Sequence, residues 1–134
     1  EGYGFGPALV ELPSLDLIDR EVFGPVLHVY RYKRKNLAEI AGKLAKKGDG
    51  LTLGVHSRLG GFHDSVIRAV PAGNVYVNRN MIGAVVGVQP FGGEGLSGTG
   101  PKAGGPHYLA RLAAERTITV NISAQGGDPE LLNL

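Results

Sequence analysis

Residues 26–78, with the sequence VLHVYRYKRKNLAEIAGKLAKKGDGLTLGVHSRLGGFHDSVIRAVPAGNVYVN, carry the pattern that sets the fold. Three segments in it are β-branched and aromatic or alternate between apolar and polar residues, which predicts strands at 26–32, 51–57 and 74–78. Apolar residues at helical spacing lie between these segments. The order strand, helix, strand, helix, strand with short connections predicts an α/β fold, with a parallel sheet and crossover helices.

The first helix is expected to begin at Asn36, a residue type favoured at helix N-termini. Glu39 lies three positions later, as in a capping box. Gly48 is expected to end the helix. One face of this helix carries the apolar residues Leu37, Ile40, Ala41, Leu44 and Ala45.

Further elements flank this core. A short apolar run occupies residues 7–12, and a second helix is predicted from Phe62 to Val70, after a break at Gly60-Gly61. A third helix is predicted from Pro106, because proline is favoured at the first helical position. Its expected buried residues are Leu109, Leu112 and Ala113.

The overall composition indicates one folded domain. The chain has 134 residues, of which 43% are hydrophobic and 19% charged. It has no cysteine, which excludes a disulfide, a cysteine–zinc site or a thiol nucleophile within this chain. The net charge of +2 is too small to indicate a nucleic-acid partner, and no apolar run approaches the ~18 residues of a transmembrane segment. Because the chain begins at Glu1 without an initiator Met, we expect a piece of a longer protein.

The glycine content is concentrated in one segment. Seven of the 22 glycines lie in residues 92–105, where Gly93–Gly98 matches the pattern G-x-G-x-x-G. A dinucleotide-binding site with this pattern requires a preceding strand and a helix that opens within it. Here Pro90 precedes the pattern, and Pro101 interrupts the chain shortly after it. The segment is therefore interpreted as a tight connector that approaches other backbone closely, rather than a phosphate site.

Two other groups of polar residues favour ordinary surface or structural roles. The basic residues of segment 31–35 are interpreted as a solvated patch. The four histidines, His28, His56, His63 and His107, have no spacing typical of metal ligands, so no metal site is predicted.

Four ordered segments resemble motifs of the aldehyde dehydrogenase family. They are EVFGPV at 21–26, GNVYVN at 73–78, PFGG followed by SG and G at 90–100, and ERTITV at 115–120. The resemblance spans about residues 7–122. It implies that the chain is the last part of a catalytic domain, over residues 1–114, followed by an oligomerisation-flap strand at 115–123 and a loosely ordered tail at 124–134.

Two further segments, 50–58 and 77–91, resemble the dehydrogenase part of the bacterial proline utilization A family. This resemblance implies oxidation of L-glutamate γ-semialdehyde, formed from 1-pyrroline-5-carboxylate, to L-glutamate with NAD. It also implies an upstream flavin-dependent proline dehydrogenase domain with FAD. The expected location is the cytoplasm, peripheral to the inner membrane through the parent protein. An aldehyde dehydrogenase with another substrate, or a non-catalytic binding or assembly module, is the alternative.

The family's functional residues correspond to five positions. Glu21 matches the glutamate that accepts hydrogen bonds from the nicotinamide ribose, and Phe23 matches the aromatic residue beside the nicotinamide. Gly83 and Ala84 match the loop whose N–H groups bind the substrate α-carboxylate, and Phe91 matches a wall of the aldehyde pocket. Without the resemblance, Glu21 would be interpreted as a surface acid, and Phe23 and Phe91 as core residues.

The resemblance also implies what the chain lacks and how it assembles. The family's nucleophilic cysteine and nucleotide-binding domain lie upstream of these motifs, so the isolated chain is expected to be inactive. The strictly alternating segment 117–122 is expected to join a homo-oligomer through an unpaired strand edge. The alternative is that it folds back on the chain's own sheet.

Overall fold

The computed structural model describes residues 2–121 and 130. The strands in this range are β1 (Ala8–Glu11), β2 (Val26–Val29), β3 (Asp49–Gly50), β4 (Thr52–Val55), β5 (Asn74–Val77) and β6 (Glu94–Gly95). The helices are α1 (Leu37–Lys47), α2 (Gly60–Ala69) and α3 (Tyr108–Leu112), with 3-10 turns at Leu15–Leu17 and Arg34–Asn36. An α/β fold with parallel strands is confirmed.

The strands form pairs rather than one sheet. β1 pairs with β2 in parallel, β4 pairs with β5 in parallel, and β3 pairs with β6 in antiparallel orientation. The sequence predicts that segments 26–32, 51–57 and 74–78 share one parallel sheet. This is wrong for segment 26–32, because β2 belongs to a different sheet from β4 and β5. Among the described helices, only α2 connects two paired strands as a crossover, whereas α1 leads from one sheet to another. The order of elements along a chain does not determine which strands share hydrogen bonds.

Helix α1 follows its predicted pattern in part, because Leu44 of the predicted buried face is 38% exposed. Ile40 and Ala41 are 7% and 3% exposed, and Gly48 ends the helix in a left-handed conformation with φ of 80°. The expected capping box does not form, since the Asn36 side chain makes no capping hydrogen bond. Asn36 belongs to a 3-10 turn, and its backbone lacks the extended conformation that an N-cap residue requires.

Helix α2 begins two residues before the predicted start. Gly60 and Gly61 form its first turn instead of a break. A Cβ atom at either glycine would meet no atom within 4 Å, so the helical turn is sterically free. The pattern of apolar residues missed this turn because glycine contributes no side chain to it.

The predicted third helix forms as α3, but its predicted burial is wrong. Leu109 and Leu112 of α3 are 78% and 72% exposed, and Ala113 is also exposed, so α3 buries none of them against the described chain. The spacing identifies a common face but not what covers it. Residues 113–121 contain no strand, while Ile122 and most of the tail at 124–134 lie outside the described residues. An oligomerisation strand is therefore not confirmed.

The main core lies where α1 and α2 pack near β4 and β5. Its buried apolar side chains include Ile40, Val55, Val70 and Tyr76. Many large apolar residues outside it are exposed, among them Phe23 at 87% and Val86 at 97%. Within the described residues, no helix is long and apolar enough to cross a membrane.

Candidate functional site: a cleft formed by residues 82–91

The glycine-rich segment packs tightly against other backbone, which confirms its interpretation as a connector. Gly95 has a φ of 59°, and Leu96 N–H donates to the Gly48 carbonyl at 2.9 Å. A Cβ atom at Gly73 would lie 2.8 Å from the Gly93 Cα, closer than real Cβ contacts. No helix opens within Gly93–Gly98, as a dinucleotide-binding turn would require.

Three of the predicted site residues line one cleft. Gly83, Ala84 and Phe91 border a space of about 570 Å³, together with residues 86–90 and Ala103-Gly104. Both positions 83 and 84 are half-buried, as is Phe91. The structure therefore brings together the three residues that the resemblance implies for the substrate.

Two residues that border the cleft have backbone donors without a partner in the described chain. Among residues 2–121 and 130, no acceptor bonds the N–H groups of Gly83 and Ala84. A Cβ atom at Gly83 would also meet no atom within 4 Å, so the space before it is open. Two adjacent unpaired N–H groups beside a concave surface are suited to bind an anion.

The turn after these donors is held by its own hydrogen bonds. Val85 N–H donates to the Gln89 Oε1 at 3.2 Å, and its carbonyl accepts from Val88 and Gln89 N–H at 3.0 and 3.1 Å. The Gln89 side chain thus closes the turn that carries the donors. Sequence reasoning did not select this residue.

Asn74 is a second residue that sequence reasoning missed. Its side chain is buried, 7% exposed, and it lies at the start of β5. Its Nδ2 donates to the Pro90 carbonyl at 3.0 Å, and its Oδ1 accepts from Gly92 N–H at 3.2 Å. The sequence did contain a signal for this role, since an asparagine begins an otherwise apolar strand. A buried amide needs hydrogen-bond partners.

Glu21 and Phe23 lie outside this cleft. Glu21 borders a separate pocket of about 390 Å³ with Lys47, Leu96 and Ser97. Phe23 is 87% exposed, and Gly24 follows it with a φ of 136°. The structure therefore does not bring the predicted cofactor residues into one pocket with the predicted substrate residues. No described side chain bonds the Glu21 carboxylate.

Helix α1 holds the segment that leads to Glu21. Lys43 Nζ contacts the Asp16 carboxylate at 3.0 Å, and Lys47 donates to the Ile18 carbonyl. The hydrogen bond and charge of Lys43 lower the pKa of Asp16, and the same contact raises the pKa of Lys43. Both groups are exposed, so this ion pair positions a turn more than it stabilises the fold.

No group of three His, Asp or Glu side chains within residues 2–121 and 130 could hold a metal ion. His63 uses its Nε2 in a 2.7 Å hydrogen bond with the Ser57 carbonyl, which is a structural contact. Asn78 also bonds Ser57, through both its Oδ1 and its Nδ2 at 2.9 Å, and has a φ of 56°. These contacts fix the end of β5, from which the chain runs to the cleft.

Comparisons with known proteins agree with the resemblance. The profile of the aldehyde dehydrogenase family matches residues 1–118. Bifunctional protein PutA of Salmonella typhimurium is 61% identical over 110 residues, which cover 82% of this chain and 8% of that protein. Human mitochondrial Δ1-pyrroline-5-carboxylate dehydrogenase is 37% identical over 124 residues, covering 87% of this chain and 22% of that protein.

A solved structure of similar sequence has the same fold. A mutant of Bradyrhizobium japonicum proline utilization A matches with a TM-score of 0.83 and 58% identity, covering 92% of this chain and 13% of that chain. The chain thus spans only about a tenth of the length of the PutA proteins that it matches. From its matched profile and these similarities, the chain belongs to the aldehyde dehydrogenase family.

Proposed function

We propose that the chain is part of an NAD-dependent dehydrogenase that oxidises L-glutamate γ-semialdehyde to L-glutamate in proline catabolism. The observation that carries this proposal is the cleft in which the unpaired N–H groups of Gly83 and Ala84 border the same space as Phe91. Similarity to a Δ1-pyrroline-5-carboxylate dehydrogenase supports it. An aldehyde that carries an α-carboxylate matches this combination of an anion site and an aromatic wall.

In this proposal the two halves of the cleft have different tasks. The N–H groups of Gly83 and Ala84 bind the carboxylate, because adjacent backbone donors stabilise an anion without side-chain entropy. The half-buried ring of Phe91 covers the aliphatic part of the substrate and excludes water from it. This arrangement orients the aldehyde group toward a nucleophile. That nucleophile lies outside this chain, because the chain has no cysteine.

The residues proposed for the cofactor fit a nicotinamide ribose. Glu21 is exposed and its carboxylate is unpaired within the described residues, so both oxygens can accept hydroxyl donors. Phe23, two residues after Glu21 in the sequence, has an exposed ring. The bound nicotinamide supplies a hydride acceptor, and these residues hold its ribose and flank its ring. We also propose an FAD-dependent proline dehydrogenase in another part of the protein.

The test is an assay of the full-length protein that contains the chain. We expect oxidation of glutamate semialdehyde with NAD, and a much lower kcat/KM for acetaldehyde, which has no carboxylate. Equal kcat/KM values for the two aldehydes would contradict the proposed substrate. For the alternative of a self-sufficient binding module, isothermal titration of the isolated chain with NAD is decisive. We expect no binding, and submicromolar affinity would favour that alternative.

We also propose that residues 117–122 join a homo-oligomer. In support, the apolar side chains of Ile118 and Val120 are 70% and 50% exposed and could be covered by a second copy of the protein. Sedimentation of the full-length protein should show an oligomer that Val120→Lys weakens, since a lysine opposes strand association. A variant with unchanged association over a hundredfold concentration range would refute this proposal.

A further inference from the structure

The position of Phe91 is determined by hydrogen bonds on both sides of its backbone. On one side Phe91 N–H donates to the Ala103 carbonyl at 3.1 Å, and Ala103 N–H donates to the Phe91 carbonyl at 2.9 Å. On the other side Asn74 bonds the two neighbours of Phe91, Pro90 and Gly92. The aromatic wall of the cleft is thus fixed between an isolated bridge and a single buried amide.

The Asn74 amide uses both its oxygen and its nitrogen for this purpose. Its Oδ1 accepts from Gly92 N–H, and its Nδ2 donates to the Pro90 carbonyl. Gly92 and Pro90 are the residues on either side of Phe91. The side chain is 7% exposed, so water does not compete for these bonds. A strand residue without an amide would leave both backbone groups unpaired.

We infer that Asn74 is a positioning residue that sets specificity for the carboxylate-bearing aldehyde by fixing Phe91 across the cleft from Gly83 and Ala84. This inference rests on the proposed function of the cleft. Asn74 borders no part of the cleft itself, so it acts through Phe91. Small displacements of a substrate-positioning group change rates strongly, so its loss should change substrate affinity more than cofactor affinity.

The test compares Asn74→Asp and Asn74→Ser with wild type in the full-length protein. Asp keeps the size but cannot donate to Pro90, and Ser is too short to serve both partners. Val70→Ala is the control, because Val70 is 8% exposed in the core and does not border the cleft. The measurements are the KM for glutamate semialdehyde, the competitive inhibition constant of L-glutamate, and the KM for NAD.

We expect the two substrate-side constants to rise about 5- to 50-fold in the Asn74 variants, with the KM for NAD within about twofold of wild type. Val70→Ala should leave all three constants unchanged. Substrate constants equal to those of wild type, or a parallel loss of substrate and NAD affinity, would overturn the inference. Failure of both variants to fold would also overturn it, since the role would then be structural. If wild type itself neither oxidises the semialdehyde nor binds L-glutamate, the proposed function fails instead.

Discussion

Replacement of Gly73 by alanine tests whether the glycine-rich connector depends on close backbone packing. The new Cβ atom would fall on the Gly92 carbonyl oxygen and 2.8 Å from both the Gly92 carbonyl carbon and the Gly93 Cα. Carbon atoms in contact prefer about 3.5 Å or more, so the two carbon contacts alone require a movement of roughly 0.7 Å. The overlap with the Gly92 carbonyl oxygen requires a larger one. Neither neighbour is a flexible side chain that could rotate away.

The expected cost comes from two effects. Overpacking in a close-packed region costs about 1–3 kcal/mol. Movement of Gly92 also stretches its 3.2 Å hydrogen bond to Asn74, which contributes about 0.5–1.5 kcal/mol. Together these lower the local free energy of opening by about 1.5–4.5 kcal/mol, which is roughly a 10- to 1,600-fold change in the opening equilibrium.

Amide hydrogen exchange of the full-length protein measures this opening directly. Peptides that cover residues 90–98 should exchange faster in Gly73→Ala by that factor. The matched control is Gly42→Ala in α1, where a Cβ atom meets nothing within 4 Å. This control should stabilise α1 by about 0.5–1 kcal/mol and leave segment 90–98 unchanged. Equal exchange of 90–98 in the two variants would refute the reasoning.

Three further outcomes are expected. Glu21→Gln should lower kcat/KM for NAD about 10- to 150-fold without changing the melting temperature, because a charge-assisted acceptor is lost; unchanged turnover would argue against the ribose role. Asn78→Ala should lower stability by about 1–3 kcal/mol, since it removes two 2.9 Å bonds to Ser57, and thermal denaturation should detect this. The lowered pKa of Asp16 means that its ion pair stabilises the 14–18 turn at neutral pH and that this stabilisation is lost as the pH falls through that pKa. Lys43→Gln should reduce this acid-dependent opening in hydrogen exchange, while the Ser14 hydrogen bond to Asp16 remains.

Local features of the fold were predictable, because they depend on neighbours in the chain. Helix α1 buries Ile40 and Ala41 and ends at Gly48, as its spacing and glycine indicate. The connector character of 92–105 agrees with its glycine content and interrupting prolines. The capping box predicted at Asn36 does not form, because Asn36 belongs to a 3-10 turn before α1. The composition of the segment does not determine which of these two local structures forms.

The amino-acid sequence was enough to identify the family, since four motifs in the right order indicate it and the profile over residues 1–118 confirms it. It also selected Gly83, Ala84 and Phe91. The folded chain was needed to show that these three line one cleft while Glu21 borders another pocket. The fold also identified Asn74, whose partners lie 16 and 18 residues away. The physical reason is that strand pairing, burial and side-chain hydrogen bonds join residues distant in sequence, whereas helical spacing and turn chemistry act between near neighbours.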